Sequence, residues 1–326
     1  MKIFVTGGTG FTGAALVKQL LKDGHTVKVL DKNPGIALEE LRSLGADIAL
    51  GSVTDRDLVA QGSKGAEVVM HLAAAFREIG VPDQVYKDVN VHGTAVVAEE
   101  AIKAGARKIV YCSTQGVHGH IDTPPGDETS PIAPADYYQQ TKYEGELELE
   151  KYKDQIEYTT LRPTAIYGPG DPERFYMIYK RANKGRFLMF GNGLTTYHPV
   201  YIDNLVDAFI NAMPAGVGAG EAYIIGDEHY YTLNELVARV GKALDKEVSI
   251  PHLPITPLII AGHVCEKVCK PFGINPPIFP RRVDWFRQMR AFTIDKAKRD
   301  LGYAPKVGID EGLRLTGEWY KANGYL

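Results

Sequence analysis

Three cysteines in 326 residues, Cys112, Cys265 and Cys269, are too few for a disulfide framework and suit a reducing compartment. Cys265 and Cys269 stand one helical turn apart, but no further partners complete a ligand set. Core packing is the expectation for them, and no metal is expected. An excess of either charge is also missing. The formal net charge is -3, and no basic run is dense enough to hold nucleic acid. Long hydrophobic runs are absent: Pro257 to Ala261 is the most apolar stretch and is far shorter than a membrane span. An expected strand starts at residue 3, leaving no room for a secretory leader, so the expected location is cytoplasmic. No internal repeat is visible.

What is present is an ordinary globular composition, 44% hydrophobic and 24% charged, long enough for one large domain or two lobes sharing a cleft. The most informative stretch is the first. An apolar run, Lys2 to Thr6, breaks into Gly7-Gly-Thr-Gly10-Phe-Thr-Gly13. Apolar residues then recur at helical spacing to Lys22, and Thr26 to Leu30 reads as a second strand ending in Asp31. Strand, glycine turn, helix, strand, acid is the order that grips a dinucleotide. Gly7 permits the tight turn, Gly10 lets backbone approach a pyrophosphate, and Gly13 lets helix and strand pack closely. The free N–H groups where the Phe11 helix begins attract phosphate. Asp31 would accept the adenosine ribose hydroxyls and repel a 2′-phosphate, which points to NAD; Lys32 beside it works against that preference.

The remaining chain alternates helix and strand. Helices are expected over Ala37–Leu44, Val85–Ala104 and Tyr137–Tyr152, and strands over Asp47–Leu50, Glu67–Ala74, Lys108–Cys112 and Tyr158–Leu161. Near-continuous apolar strands between amphipathic helices mean an α/β fold with a doubly wound parallel sheet of Rossmann type. From about Gly168 the rhythm changes. Ala222–Gly226 could return one strand to the sheet, whereas Pro251 to Arg282 reads as irregular and proline-rich. The division expected is an NAD-binding domain over 1–170, with a return near 195–226, and a smaller, mainly helical substrate lobe over 171–326.

Tyr138 and Lys142 are four apart on an expected helix and share a face. Tyr137 and Tyr143 have Thr141 and Leu147 at that offset, so of these three only Tyr138 has a lysine one turn on. A phenol near pKa 10 is a poor base at neutral pH, and an adjacent ammonium stabilises its phenolate. Cys112-Ser113-Thr114 follows the fifth strand, where a doubly wound sheet places its ligand crevice.

These residues resemble the extended short-chain dehydrogenases/reductases. The resemblance runs through Thr6–Gly13, His71–Ala74, Asn90–Thr94, Val110–Thr114, Tyr138 with Lys142, Leu161–Pro169, Val200–Asp203 and Lys296–Tyr303, nearly the whole chain in order. It implies that Tyr138 exchanges a proton with the substrate oxygen and that Lys142 lowers its pKa and holds the nicotinamide ribose. Thr114, five residues before Gly119, would hydrogen-bond the reacting oxygen. Cofactor contacts carried over are Gly7, Thr9, Gly10, Phe11, Thr12, Gly13, Asp31, Lys32, Leu72, Ala73, Ala74, Asn90, Tyr138, Lys142 and Pro163. Ser52 stands where the family often has aspartate, which alters one adenine contact, and Val53 would still pack on the adenine. A homodimer through the helices carrying Asn90 and Tyr138 is implied as well.

Nucleotide-sugar members of that family carry features missing here. Ala165 replaces an asparagine, Tyr197-His198-Pro199 replaces an Arg-Asp-Phe triplet, and a later phosphate-binding arginine has no clean counterpart, although Arg281, Arg282, Arg287 or Arg290 could substitute. The segments Pro254–Ala261, Phe272–Pro277 and Arg290–Phe292 resemble instead the 3β-hydroxysteroid dehydrogenase-like branch; they are either an apolar lid or simply the core of that lobe. His198, His118 and His120 are expected to be exposed, satisfied or loop histidines. Three functions compete: an NAD-dependent oxidoreductase at a secondary alcohol or ketone carbon of a small molecule, a nucleotide-sugar 4-epimerase using the same residues, and an idle NAD-binding regulator.

Overall fold

The computed structural model describes residues 1–76, 81–171, 175–269 and 283–326. Seven strands form its main sheet: β1 (Lys2–Thr6), β2 (Thr26–Asp31), β3 (Asp47–Leu50), β4 (Val68–His71), β5 (Lys108–Cys112), β6 (Glu157–Pro163) and β7 (Ala222–Ile225). All pairs are parallel, in the order β7-β6-β5-β4-β1-β2-β3. The order reverses between β1 and β4, and that is where an open α/β sheet opens its ligand crevice.

The helices are α1 (Phe11–Lys22), α2 (Leu38–Ser43), α3 (Arg56–Ser63), α4 (Asp83–Lys87), α5 (Gly93–Lys103) and α6 (Tyr137–Glu150). After these come α7 (Tyr176–Ala182), α8 (Ile202–Asn211), α9 (Leu233–Ala243), α10 (Thr256–Cys269), α11 (Asp295–Leu301) and α12 (Ile309–Ala322). Strand side chains alternate between two cores, as a pleat of period two requires. Ile3 and Val5 pack with Leu16, Leu20, Leu205 and Phe209 on one face. Phe4 and Val69 pack with Val97, Ala98 and Ala101 on the other. A further apolar cluster, Tyr167, Phe175, Tyr179, Leu236, Val240, Leu313 and Tyr320, fills the mainly helical C-terminal region. The strand expected near Ala222 does return to the sheet and pairs with β6.

Three expectations need correction. The fourth strand stops at His71 rather than running to Ala74, because the amides of Leu72 and Ala73 turn to the Thr6 carbonyl and hydroxyl. The long helix expected over 85–104 is interrupted by a π-helical turn, Asp88–His92. That extra residue lets buried Asn90 reach Ala75 and Thr141. The irregular stretch expected after Pro251 contains α10, whose Pro257 sits in the first turn where a missing N–H costs little. Cys265 and Cys269 lie on α10, partly buried, with sulfurs 3.9 Å apart, and among the described residues they join none of the buried apolar clusters. The Phe272–Pro277 segment, Arg281 and Arg282 lie outside the described residues.

Candidate active site

The glycine turn follows from close approaches. Gly7 has φ +72°, and a Cβ there would sit 2.7 Å from the Ala73 nitrogen. A Cβ on Gly13 would fall 2.0 Å from the Gly7 carbonyl oxygen. Gly10 differs, since a Cβ would meet only the Gly7 oxygen, at 3.5 Å. It leaves open space above the turn.

Helix α1 starts after Gly10 with no side-chain cap and no acid in its first turn. Its first backbone bond within the helix runs from Ala14 to Gly10, so the amides of Phe11, Thr12 and Gly13 precede the helical ladder. An uncapped N-terminus of this kind is an anion seat.

Asp31, at the end of β2, accepts from the Thr9 amide (3.0 Å) and the Asn33 amide (3.2 Å). Thr9 is buried and donates its hydroxyl to the Asn33 carbonyl, so it braces the turn against β2. Lys32 is exposed. Ser52 is half-buried and bonds Thr54. Val53 is 3% exposed and packs among Phe4, Leu30 and the α5 side chains, close over Gly93.

Beyond β4 a chain of hydrogen bonds links the turn to α6. The Thr94 hydroxyl donates to the Asn90 carbonyl (2.8 Å), so it must accept from His71 Nε2 (3.0 Å). His71 Nδ1 is then a lone pair that accepts from the Thr6 hydroxyl (2.7 Å), which itself accepts from the Ala73 amide. Burial, reinforced by the nearby Lys142 ammonium, pushes the His71 pKa down to about 3, in keeping with this neutral tautomer. Asn90 Nδ2 donates to Thr141 (2.9 Å), and Thr141 donates to the Tyr138 carbonyl (3.0 Å). Asn90, one of the carried-over cofactor contacts, is buried and bonds Ala75 and Thr141, which braces the Leu72–Ala75 loop against α6.

Helix α6 begins at Asp136, whose carboxylate caps the Gln139 amide. Tyr138 lies on its first turn with the Phe76 ring 4.9 Å away. One turn on, Lys142 is 1% exposed, and its Nζ has no hydrogen-bonding partner among the described residues. It stands 4.1 Å over the Tyr111 ring. Burial lowers its pKa from 10.5 to about 8. The Cys112 thiol is pushed up to about 11 by the same burial.

Thr114 caps the short turn Gln115–His118, accepting from the Gly116 amide at 3.1 Å, which leaves its hydroxyl proton for another acceptor. Pro163 ends β6 and is buried. The Leu72 and Ala73 amides are spent on Thr6, and Leu72, Ala73 and Ala74 form a half-buried loop beside Gly7.

Of the exposed or satisfied alternatives, His198 is buried with one ring nitrogen bonded. Its Nε2 donates to the Asp227 carbonyl (2.8 Å), its Nδ1 has no partner among the described residues, and burial lowers its pKa to about 4. His118 is likewise buried, while His120 is exposed and accepts from the Met289 amide. The polar group of Ser113, Glu146 and Arg162 was missed. One signal was available: Glu146 lies a further turn along the face shared by Tyr138 and Lys142.

An uncapped helix start, an open glycine and an orphaned buried ammonium fit a dinucleotide. A doubly wound sheet with that turn and a Tyr-Lys helix face defines a nicotinamide-dependent enzyme of the short-chain kind. The chain belongs to the NAD dependent epimerase/dehydratase family, whose profile matches residues 3–226. It is 32% identical to 3beta-hydroxysteroid-dehydrogenase/decarboxylase isoform 1 of Arabidopsis thaliana, over 96% of this chain and 78% of that protein. Its fold superposes with a TM-score of 0.79 on UDP-glucose 4-epimerase of Thermotoga maritima, 26% identical and covering 99% of both chains. The dTDP-glucose 4,6-dehydratase DesIV of Streptomyces venezuelae, solved with NAD bound, also gives 0.79, at 26% identity over 99% and 98% of the two chains. The protein is an NAD-dependent oxidoreductase of the extended short-chain type, with sequence resemblance to the 3β-hydroxysteroid dehydrogenase branch.

Proposed function

We propose that the enzyme interconverts a secondary alcohol and its ketone on an apolar ring substrate, in the manner of a 3β-hydroxysteroid dehydrogenase. The observation that carries the substrate class is Tyr197. In the triplet from which nucleotide-sugar enzymes of the resembled family present an arginine, it stands at the arginine's place and brings a buried phenol, with His198 beside it buried and neutral at pH 7. Neither offers a cation to a diphosphate, and a charge-assisted phosphate contact is hard to replace. Arg287, one candidate substitute, is paired with Asp284.

NAD supplies the hydride acceptor, or in reduced form the donor. In oxidation Tyr138 takes the hydroxyl proton as the substrate carbon gives up its hydride, so the alcohol loses two electrons and two hydrogens. The Lys142 ammonium favours the phenolate form of Tyr138 and holds ribose hydroxyls. Thr114 donates its free proton to the reacting oxygen. The lobe division at about residue 170, a homodimer through α5 and α6, and a cytoplasmic location are part of the same proposal.

The alternative, a nucleotide-sugar 4-epimerase, is favoured by the likeness to the Thermotoga maritima enzyme. Melting the NAD-loaded protein with pregnenolone, with UDP and with UDP-glucose separates the two. Protection by the steroid together with NADH formation supports the dehydrogenase, and protection by UDP alone replaces it with the epimerase. Tyr138→Phe should abolish turnover in either case while NAD affinity stays within about threefold. Full activity in that variant would remove Tyr138 from the mechanism.

A further inference from the structure

Beside Thr114 and α6 lies a buried polar cluster that proton and hydride transfer do not themselves use. Glu146 stands two turns beyond Tyr138 and one beyond Lys142, so the three share a face of α6. Its Oε1 accepts from Arg162 Nε (3.0 Å) and from the Ser113 hydroxyl, and its Oε2 accepts from Arg162 Nη2 (2.5 Å). Arg162 Nη1 lies 3.1 Å from His118 Nε2. On its other side His118 Nδ1 faces the Ser130 carbonyl at 3.0 Å. A carbonyl only accepts, so Nδ1 carries the hydrogen and Nε2 accepts from the guanidinium. All four side chains are buried, Arg162 at 6% and Glu146 at 8% exposure.

A buried ion pair is weak evidence of stability, since apolar side chains of equal volume often do as well or better. Its location suggests another use. Ser113 immediately precedes Thr114 at the end of β5, and its amide donates to the Leu161 carbonyl of β6 (2.7 Å). Arg162 immediately precedes Pro163 near the end of β6. Glu146 rides on the helix that carries Tyr138. One carboxylate thereby ties two strand ends to that helix, and through His118 it also holds the turn that Thr114 caps.

We infer that Ser113, Glu146 and Arg162 are positioning residues that fix the Thr114 hydroxyl relative to the Tyr138 phenol. The inference rests on the proposed roles of Thr114 and Tyr138. It assigns Ser113 no contact with substrate; its effect passes through Thr114.

Ser113→Ala is the clean test, because it removes one donor and leaves Glu146 bonded to Arg162. The variant should melt within about 2 °C of the parent and keep its KM for NAD within twofold. Its kcat should fall about tenfold, since misplacing a reacting group by 1 Å can cost as much as 100-fold. Pregnenolone is the probe, or UDP-glucose if only the sugar nucleotide is turned over. In a Thr114→Ala background, Ser113→Ala should cost nothing further, because the two act as a unit. Multiplicative losses, or an unchanged kcat, overturn the inference. A crystal structure of NAD-bound Ser113→Ala decides independently of substrate: the Thr114 Oγ to Tyr138 Oη separation should change, and an unchanged separation also overturns it. Retained turnover in Tyr138→Phe would instead overturn the reading of the site on which the inference rests.

Discussion

Replacing Lys142 with methionine should make the cofactor-free protein more stable and the enzyme inactive. The ammonium is buried, without a hydrogen-bond partner among the described residues, and its pKa falls from 10.5 to about 8. A depression of that size corresponds to about 3 kcal/mol of penalty on the charged form. The penalty is present in full below pH 8 and disappears as pH rises toward 10.5, so wild-type stability should climb across that window. Methionine keeps the apolar stem but loses the contact with the Tyr111 ring, worth about 0.5–2 kcal/mol. The net gain is about 1–3 kcal/mol near pH 7, or a few degrees in melting temperature at about 2–4 °C per kcal/mol. NAD affinity should fall about 10–100-fold, because hydrogen bonds to a charged group are worth about 1.5–3 kcal/mol each. Thermal melts at pH 7 and pH 10, with and without NAD, read all of this. A Lys142→Met protein that melts below wild type at pH 7 would show that the ammonium is well satisfied in the free protein, and would refute the reasoning.

Gly10→Ala should fold with an unchanged melting temperature yet bind NAD at least tenfold more weakly, since its Cβ meets little protein and occupies the open space above the turn. Gly13→Ala should lose about 2–4 kcal/mol of stability, because its Cβ would collide with the Gly7 carbonyl; calorimetry and NAD titration distinguish the two. Asp227 accepts from the Tyr201 amide and Asn204, but its second oxygen lies against the Tyr167 hydroxyl short of a well-formed bond. Burial raises its pKa from 3.8 to about 7. For a carboxyl raised in this way the stability of the neutral form is lost as pH rises from about 4 through 7. Asp227→Asn should flatten that decline in urea melts at pH 5 and pH 8; an unaltered slope would show that Asp227 titrates normally.

Much of the fold was legible because the strands buried on both faces leave an uninterrupted apolar record, Val68 to Met70 being the plainest case. The glycine turn was legible for a different reason: Gly13 is forced by a collision within the turn itself, with the Gly7 carbonyl, whereas the wall that forces Gly7 is the distant Ala73. The π-helical turn was not, since its cause is a single buried amide, Asn90, whose partners Ala75 and Thr141 lie 15 and 51 residues away. Helix α10 was missed because the prolines of that stretch were read as breakers, although the one inside the helix, Pro257, stands in its first turn, where proline is tolerated. The Ser113, Glu146 and Arg162 cluster joins three elements that no local pattern places together.

The return of β7 to the sheet has a consequence for how the protein is born. Its partner β6 ends at residue 163, and β7 begins at 222. A ribosome adding roughly 5–20 residues per second needs about 3–12 s to cover that gap. For that interval the outer edge of β6 offers unpaired backbone groups to any passing strand. The main sheet is therefore finished late, by a segment made after α7 and α8. Chaperone occupancy on nascent chains should peak between these two points and fall once residue 226 has emerged from the exit tunnel.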